Sequence, residues 1–184
     1  MTTKQGRPRR FQLAPLGDPL GAELSFALGM LEEMALRVVD QVDHLPPEAL
    51  NYTGPNSTLS VGRLVLHLAG ADLTMLSAAV GFVPDPGWVA RLDEGKLAGF
   101  SVPPGDLSRA PEELRAYLKY RRDHLLAACQ APGFLDRPVD HPYCTTARAL
   151  LGHLVWHWSY HSGQIGLTAM EAGYDYVWTA TKTS

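Results

Sequence analysis

The sequence predicts an all-α fold, a four-helix bundle, and three observations predict it. Four long segments repeat their apolar residues at the three-and-four spacing of a helix face. No segment shows a convincing strand alternation. The stretches between the four are rich in proline and glycine, which punctuate helices. The 184 residues suffice for one domain with a real core. With 46% apolar and 19% charged residues the composition is that of an ordinary globular chain, not a disordered one.

Residues 1–17 read as a flexible N-terminal tail, in which Lys4, Arg7, Arg9 and Arg10 form a short basic cluster on a frayed terminus. Residues 18–184 then form the single domain. The first helix runs from about Asp18 to Asp43, with Leu24, Leu28, Leu31, Ala35, Val38 and Val42 on one face. Pro46, Pro47 and Pro55 break the pattern. The second helix opens at Ser60, a plausible N-cap, and continues to about Val80. The third opens with Pro111 at its first position and Glu112 and Glu113 in its first turn, where proline and acids are favourable. It carries Leu114, Leu118, Leu125 and Ala128 on one side. The fourth runs from about Thr146 to Ala172, with Gly173 as its stop. A short extended piece in "RPVDHPYCT" is the weakest expectation.

The connection between the second and third helices, residues 81–110, is long and holds Pro84, Pro86, Pro103 and Pro104. Antiparallel neighbours need only short loops, so this length carries the chain back along the bundle and sends the two helices in one direction. A short helix is expected near Trp88–Asp93; a mobile lid or a plain surface excursion are the alternatives.

A net charge of −3 and the lack of a basic face argue against nucleic acid. No apolar run approaches the roughly 20 residues of a membrane span, and the N-terminus lacks a signal peptide's apolar stretch. Cys129 and Cys144 sit in unrelated contexts without a CxxC pair, which fits a cytoplasmic, reducing location.

The chemistry concentrates in "HLVWHWSYHSGQIG", residues 153–166, where His153, His157 and His161 recur every four residues. On a wheel of 100° per residue, Leu150, Leu154, Trp158 and Ile165 define the buried arc, and His161 falls inside it. His157 lies on its shoulder, about 60° from Leu154, and His153 near the edge. On the second helix His67 takes the same shoulder position, about 60° from Leu64. One inward histidine is usually a satisfied core residue. An i, i+4 inward pair with a third histidine from a neighbouring helix is a set of neutral metal ligands that leaves positions free for water. The zinc-protease reading fails, because Trp158 stands where its glutamate would be.

Those stretches, "SVGRLVLHLAGAD" and "HLVWHWSYHSGQI", resemble the DinB-like superfamily, the YfiT-like metalloenzymes, over roughly residues 18–175. The resemblance implies a four-helix bundle with up-down-down-up order, in agreement with the long second connection. It implies a divalent metal (zinc, nickel or iron) on His67, His157 and His161, with Gly163 and Gln164 matching the tail of the motif. Relatives include thiol-dependent S-transferases and a maleylpyruvate isomerase, so a low-molecular-weight thiol such as mycothiol or bacillithiol is the implied cosubstrate; others have no assigned activity.

A divalent ion on three neutral imidazoles lowers the pKa of a bound water to about 7 and activates a thiol in the same way. The expected function is therefore a metal-dependent thiol S-transferase or hydrolase acting on a small molecule. Asp72, about 140° from His67, is a poor general base with a helix-surface role expected for it, which tilts the expectation toward thiol chemistry. Gln164 shares the side of His161, either orienting a ligand or bonding at the bundle rim. His153 and Tyr160 flank the set, as orienting groups or as a part-exposed rim. Trp156 points away from the core, toward another element or subunit. The alternative function is a non-catalytic bundle with a structural or vestigial metal site that binds a small ligand or a partner. The second helix has a further apolar side (Leu66, Ala69, Leu73, Val80), so it is wholly enclosed or part of an interface. A homodimer is expected, without nucleic acid or membrane as partners.

Overall fold

The computed structural model describes residues 1–9, 21–93 and 105–180. In chain order these form β1 (Thr2–Arg9), α1 (Gly21–Val42), α2 (Pro47–Leu50), α3 (Val61–Val80), α4 (Pro86–Arg91), α5 (Ala110–Tyr120), β2 (Pro138–His141), β3 (Cys144–Thr146), α6 (Ala147–Glu171) and β4 (Tyr174–Ala180). The protein is thus mostly helical, with two small sheets. A π-helical turn, Arg121–Leu126, prolongs α5, and a single 3-10 turn, Phe134–Asp136, precedes β2.

The helix ends follow from local chemistry. The Ser60 side chain accepts from the Arg63 N–H at the start of α3, and Thr146 accepts from Ala149 N–H at the start of α6. Gly81 and Gly173 stop those helices with φ of 75° and 93°, a conformation costly for any residue with a Cβ. Asp85 caps α4 through the N–H groups of Gly87 and Trp88. The short helix expected near Trp88–Asp93 is therefore present as Pro86–Arg91. The remainder of the long connection, residues 94–104, and the expected helix start at residues 18–20 lie outside the described residues.

Helix α1 packs on α6 and α5, and α3 on the same two helices, around a core that includes Leu28, Leu31, Leu64, Leu68, Leu114 and Leu154. Contacts along these pairs are informative. Glu23 pairs with Arg148, and Gln41 accepts from Ser162, on α1 and α6 respectively. Arg115 near the start of α5 pairs with Asp43 just past the end of α1. Gly62 packs so tightly on Leu107 that a Cβ at residue 62 would meet the Leu107 Cβ at 2.7 Å. Arg137, ahead of α6, donates to the Val80 carbonyl at the end of α3.

Two expectations need correcting here. The tail does not fray over its first residues: Thr2–Arg9 pairs in parallel with Tyr174–Ala180. Its basic residues find acids on the outer side of α1, Lys4 bonding Asp40 and Arg7 bonding Glu33 at 2.9 Å. Tyr176 donates to Asp40, and Arg37 lies over the Trp178 ring at 3.5 Å. The expected piece in "RPVDHPYCT" is a β2–β3 hairpin. Helix α3 also passes for a membrane span by length and apolarity, contrary to expectation, but most of it is buried inside the protein. Leu66, Ala69, Leu73 and Val80 are all at most 5% exposed, so its second apolar side is enclosed by this chain's own elements. Deleting residues 1–9 would strip β4 of its partner strand and of the Lys4 and Arg7 links. Differential scanning calorimetry should show a Tm fall of several degrees, since about 1–2 kcal/mol shifts a chain of this size by about 2–4 °C per kcal/mol; an unchanged Tm would mean the strand adds nothing.

Candidate metal centre

His67 on α3 and His157 and His161 on α6 converge: one nitrogen from each lies within 4.8 Å of the other two. His67 Nε2 and His157 Nε2 are 3.1 Å apart. Two nitrogens on one tetrahedral zinc stand about 3.3 Å apart, given bonds of about 2.0–2.1 Å. The ring centroids are 4.5–5.0 Å from one another and the planes are steeply crossed, so the lone pairs meet rather than the faces stacking. Two facing Nε2 atoms can share only one proton between them, whereas a cation accepts both lone pairs. The donor set fits a divalent metal.

Burial keeps the His157 and His161 rings neutral, which is the ligating form. Burial first, and then the neighbouring His161, His67 and His153, push the His157 pKa down to about 3. Burial lowers that of His161 too, against the opposing hydrogen bond from Gln164. The Gln164 Oε1 lies 2.6 Å from His161 Nδ1 and accepts its proton, which leaves the Nε2 lone pair for a ligand. Gln164 Nε2 in turn donates to Tyr160 Oη at 3.3 Å, which fixes the orientation of the amide. The buried Nδ1 of His157 has no hydrogen-bond partner among the described residues.

His161 lies within the buried arc of α6 by its wheel angle, yet it stays part-exposed while His157 is buried. The group is therefore reached from solvent at His161. The His153 ring stacks on His157 at 6.0 Å, and beyond it stand His141 and Tyr143 from the hairpin. Among the described residues, the Trp156 ring meets other aromatic rings only on its own helix. It is 58% exposed, between His153 and Tyr160 on its own helix. Cys144 and Cys129 are buried, and burial pushes the Cys129 thiol up to about 12, so that sulfur is no nucleophile.

The sequence reading misplaced Asp72. It is fully buried, not on a helix surface. Its Oδ1 accepts from Trp158 Nε1 at 2.7 Å, and its Oδ2 accepts from Tyr117 Oη at 2.6 Å. Arg121, also fully buried, stands 3.5 Å from Asp72 and 2.5 Å from Glu32, which binds Arg122 as well. Burial disfavours the Arg121 charge, but Asp72 and Glu32 outweigh it and raise the pKa. Burial and the Asp72 charge likewise raise that of Tyr117, so it stays a donor. The signal was present: 114, 118, 121 and 125 share one helical stripe, which places Arg121 among the inward leucines.

Residues 30–165 match the sequence model of the DinB superfamily, well over half of the chain. No curated protein is similar enough to match. The matched span carries His67, His157 and His161 together with the helices that present them, and the chain belongs to the DinB superfamily.

Proposed function

We propose that this protein is a metal-dependent enzyme that transfers a small thiol to an electrophilic carbon, or hydrolyses a small substrate, with His67, His157 and His161 holding zinc, nickel or iron. One observation carries the reading: three imidazoles from two helices converge on one point that solvent reaches. When bound, such an ion supplies a Lewis acid that acidifies a thiol or water. The chain's own residues set the ligands. Gln164 holds the proton of His161 on Nδ1, Tyr160 holds Gln164, and His153 covers one face of His157. Asp72 offers no general base, because Trp158, Tyr117 and Arg121 already occupy its oxygens. That favours thiol transfer, in which the ion does most of the activation, over hydrolysis. The choice of metal rests with supply, since three imidazoles accept all of these ions.

Elemental mass spectrometry of the untagged protein beside His161→Ala tests the reading. About one divalent ion per chain, lost in the variant, supports it. A wild type that takes up no zinc or nickel on incubation would leave the non-catalytic bundle, with a vestigial site and a small ligand or partner, as the function.

The same reading includes an up-down-down-up four-helix order, residues 18–184 as one domain, and a cytoplasmic location. The paired positions Glu23–Arg148 and Gln41–Ser162 support α1 and α6 running together, and Arg115–Asp43 supports α5 opposing α1. A homodimer fits the outer side of α6, where Trp156, Tyr160, Leu167 and Met170 lie in water on one stripe. Light scattering should give twice the mass of 20.1 kDa for the wild type, and a monomer for Trp156→Glu. A monomeric wild type at micromolar concentration ends the dimer proposal.

A further inference from the structure

We infer that Asp72 is a positioning residue for the metal centre and acts through the indole N–H of Trp158. The inference rests on the metal reading above. The centre takes one histidine from α3 and two from α6, so its geometry depends on how those two helices sit against each other. A shift of one residue along either helix moves its histidines by 1.5 Å and turns them by 100°. The apolar packing of α3 on α6 resists this weakly, because it has no direction. The Asp72–Trp158 bond does have direction, is fully buried at both ends, and is 2.7 Å long. It joins the residue next to His157 to a residue of α3 little more than one turn beyond His67.

The reach of the indole explains the pairing. Helical side chains lean toward the N-terminus of their own helix, so Trp158 extends away from His161 and past His157. Asp72 meets it there and is itself held from α5, by Tyr117 at 2.6 Å and by the Arg121 charge. The π-helical turn that begins at Arg121 lies where that side chain enters the core. The anchor of the α3–α6 register is thus clamped from a third helix. Neither Asp72 nor Trp158 touches the ion, and the claim is about geometry at the ligands.

Cobalt(II) titration tests it, with affinity and the visible ligand-field spectrum as readouts. Trp158→Phe keeps the ring and removes the N–H. It is expected to lose about 10- to 100-fold in cobalt affinity and to shift the ligand-field bands. Leu114→Ala, a core truncation on α5, is the control: it lowers stability but leaves affinity and spectrum at wild-type values. Should Trp158→Phe not fold, Asp72→Leu combined with Arg121→Met and Tyr117→Phe carries the same test, because it removes the acceptor of the indole N–H without leaving the arginine charge unpaired. A folded Trp158→Phe, or a folded triple variant, with wild-type affinity and spectrum overturns the inference and leaves the metal reading standing. A wild type that binds no cobalt overturns both.

Discussion

Asp72→Ala is expected to cost about 3–5 kcal/mol of stability, the usual consequence of removing one partner from a buried charge pair. The expectation follows from what the alanine leaves behind. Trp158 Nε1 and Tyr117 Oη lose their acceptor inside the core, and Arg121 keeps a full charge with Glu32 alone. Among the described residues, Arg121 Nε and Nη1 already lack hydrogen-bond partners, so none of these offers the arginine an alternative. Against a total stability of about 5–15 kcal/mol, such a loss removes a third or more. Urea unfolding should show it as a lower midpoint with an unchanged slope. The sign reverses if the whole set goes. Asp72→Leu combined with Arg121→Met and Tyr117→Phe should recover much of the loss, since desolvating these groups was costly in the first place. A single Asp72→Ala loss under about 1 kcal/mol would show that the network is solvated or loosely made.

The same network marks where the sequence was legible and where it was not. The three histidines were read from helical phase alone, because phase depends only on spacing. The four long helices followed from the same periodicity, and two of their ends from Ser60 and Gly173, whose roles are local. Asp72 was misread because phase was measured against a single buried face. Helix α3 has none: Leu66 and Leu73, on the far side from Leu64 and Leu68, are equally buried. On a helix buried on two sides, a polar residue between them is inside and must be paired, as Asp72 is. The two-sided apolar pattern was noted, and its consequence for Asp72 was the missing step. Strand β1 was illegible for a different reason. "TTKQGRPR" has no alternation and contains both glycine and proline; its strand partner β4 lies more than 170 residues away, and its acidic partners Glu33 and Asp40 lie on α1, 26 and 36 residues from Arg7 and Lys4. Only β4 carried a signal, with Tyr174, Tyr176 and Trp178 on alternate positions after the Gly173 stop.

Zinc at a hundred times its dissociation constant should stabilise the wild type by about 2.7 kcal/mol, or a Tm rise of about 5–10 °C for a chain of this size. His157→Ala should abolish the rise. His157 is also the residue through which pH should act on the metal-free protein. Its pKa of about 3 in the folded state lies below the ordinary histidine value of 6.5, so the folded chain leaves it neutral where the unfolded chain protonates it. The unfolded state therefore binds more protons below pH 6.5. Stability from this residue is full above that pH and falls as pH drops toward 3, by at most about 1.4 kcal/mol per unit. Replacing His157 by alanine removes the proton uptake, so the variant should lose stability less steeply between pH 6.5 and 4. Its core has a cavity but no buried imidazole to charge. Glu32, held below the usual carboxylate range by Arg121 and Arg122 against the effect of burial, adds an acid loss in both proteins and cancels from the comparison. Parallel Tm curves for wild type and variant over that range would show that His157 titrates like an exposed histidine. The imidazoles would then not be held in the ligating form, and the case for a built metal centre would lose its electrostatic half.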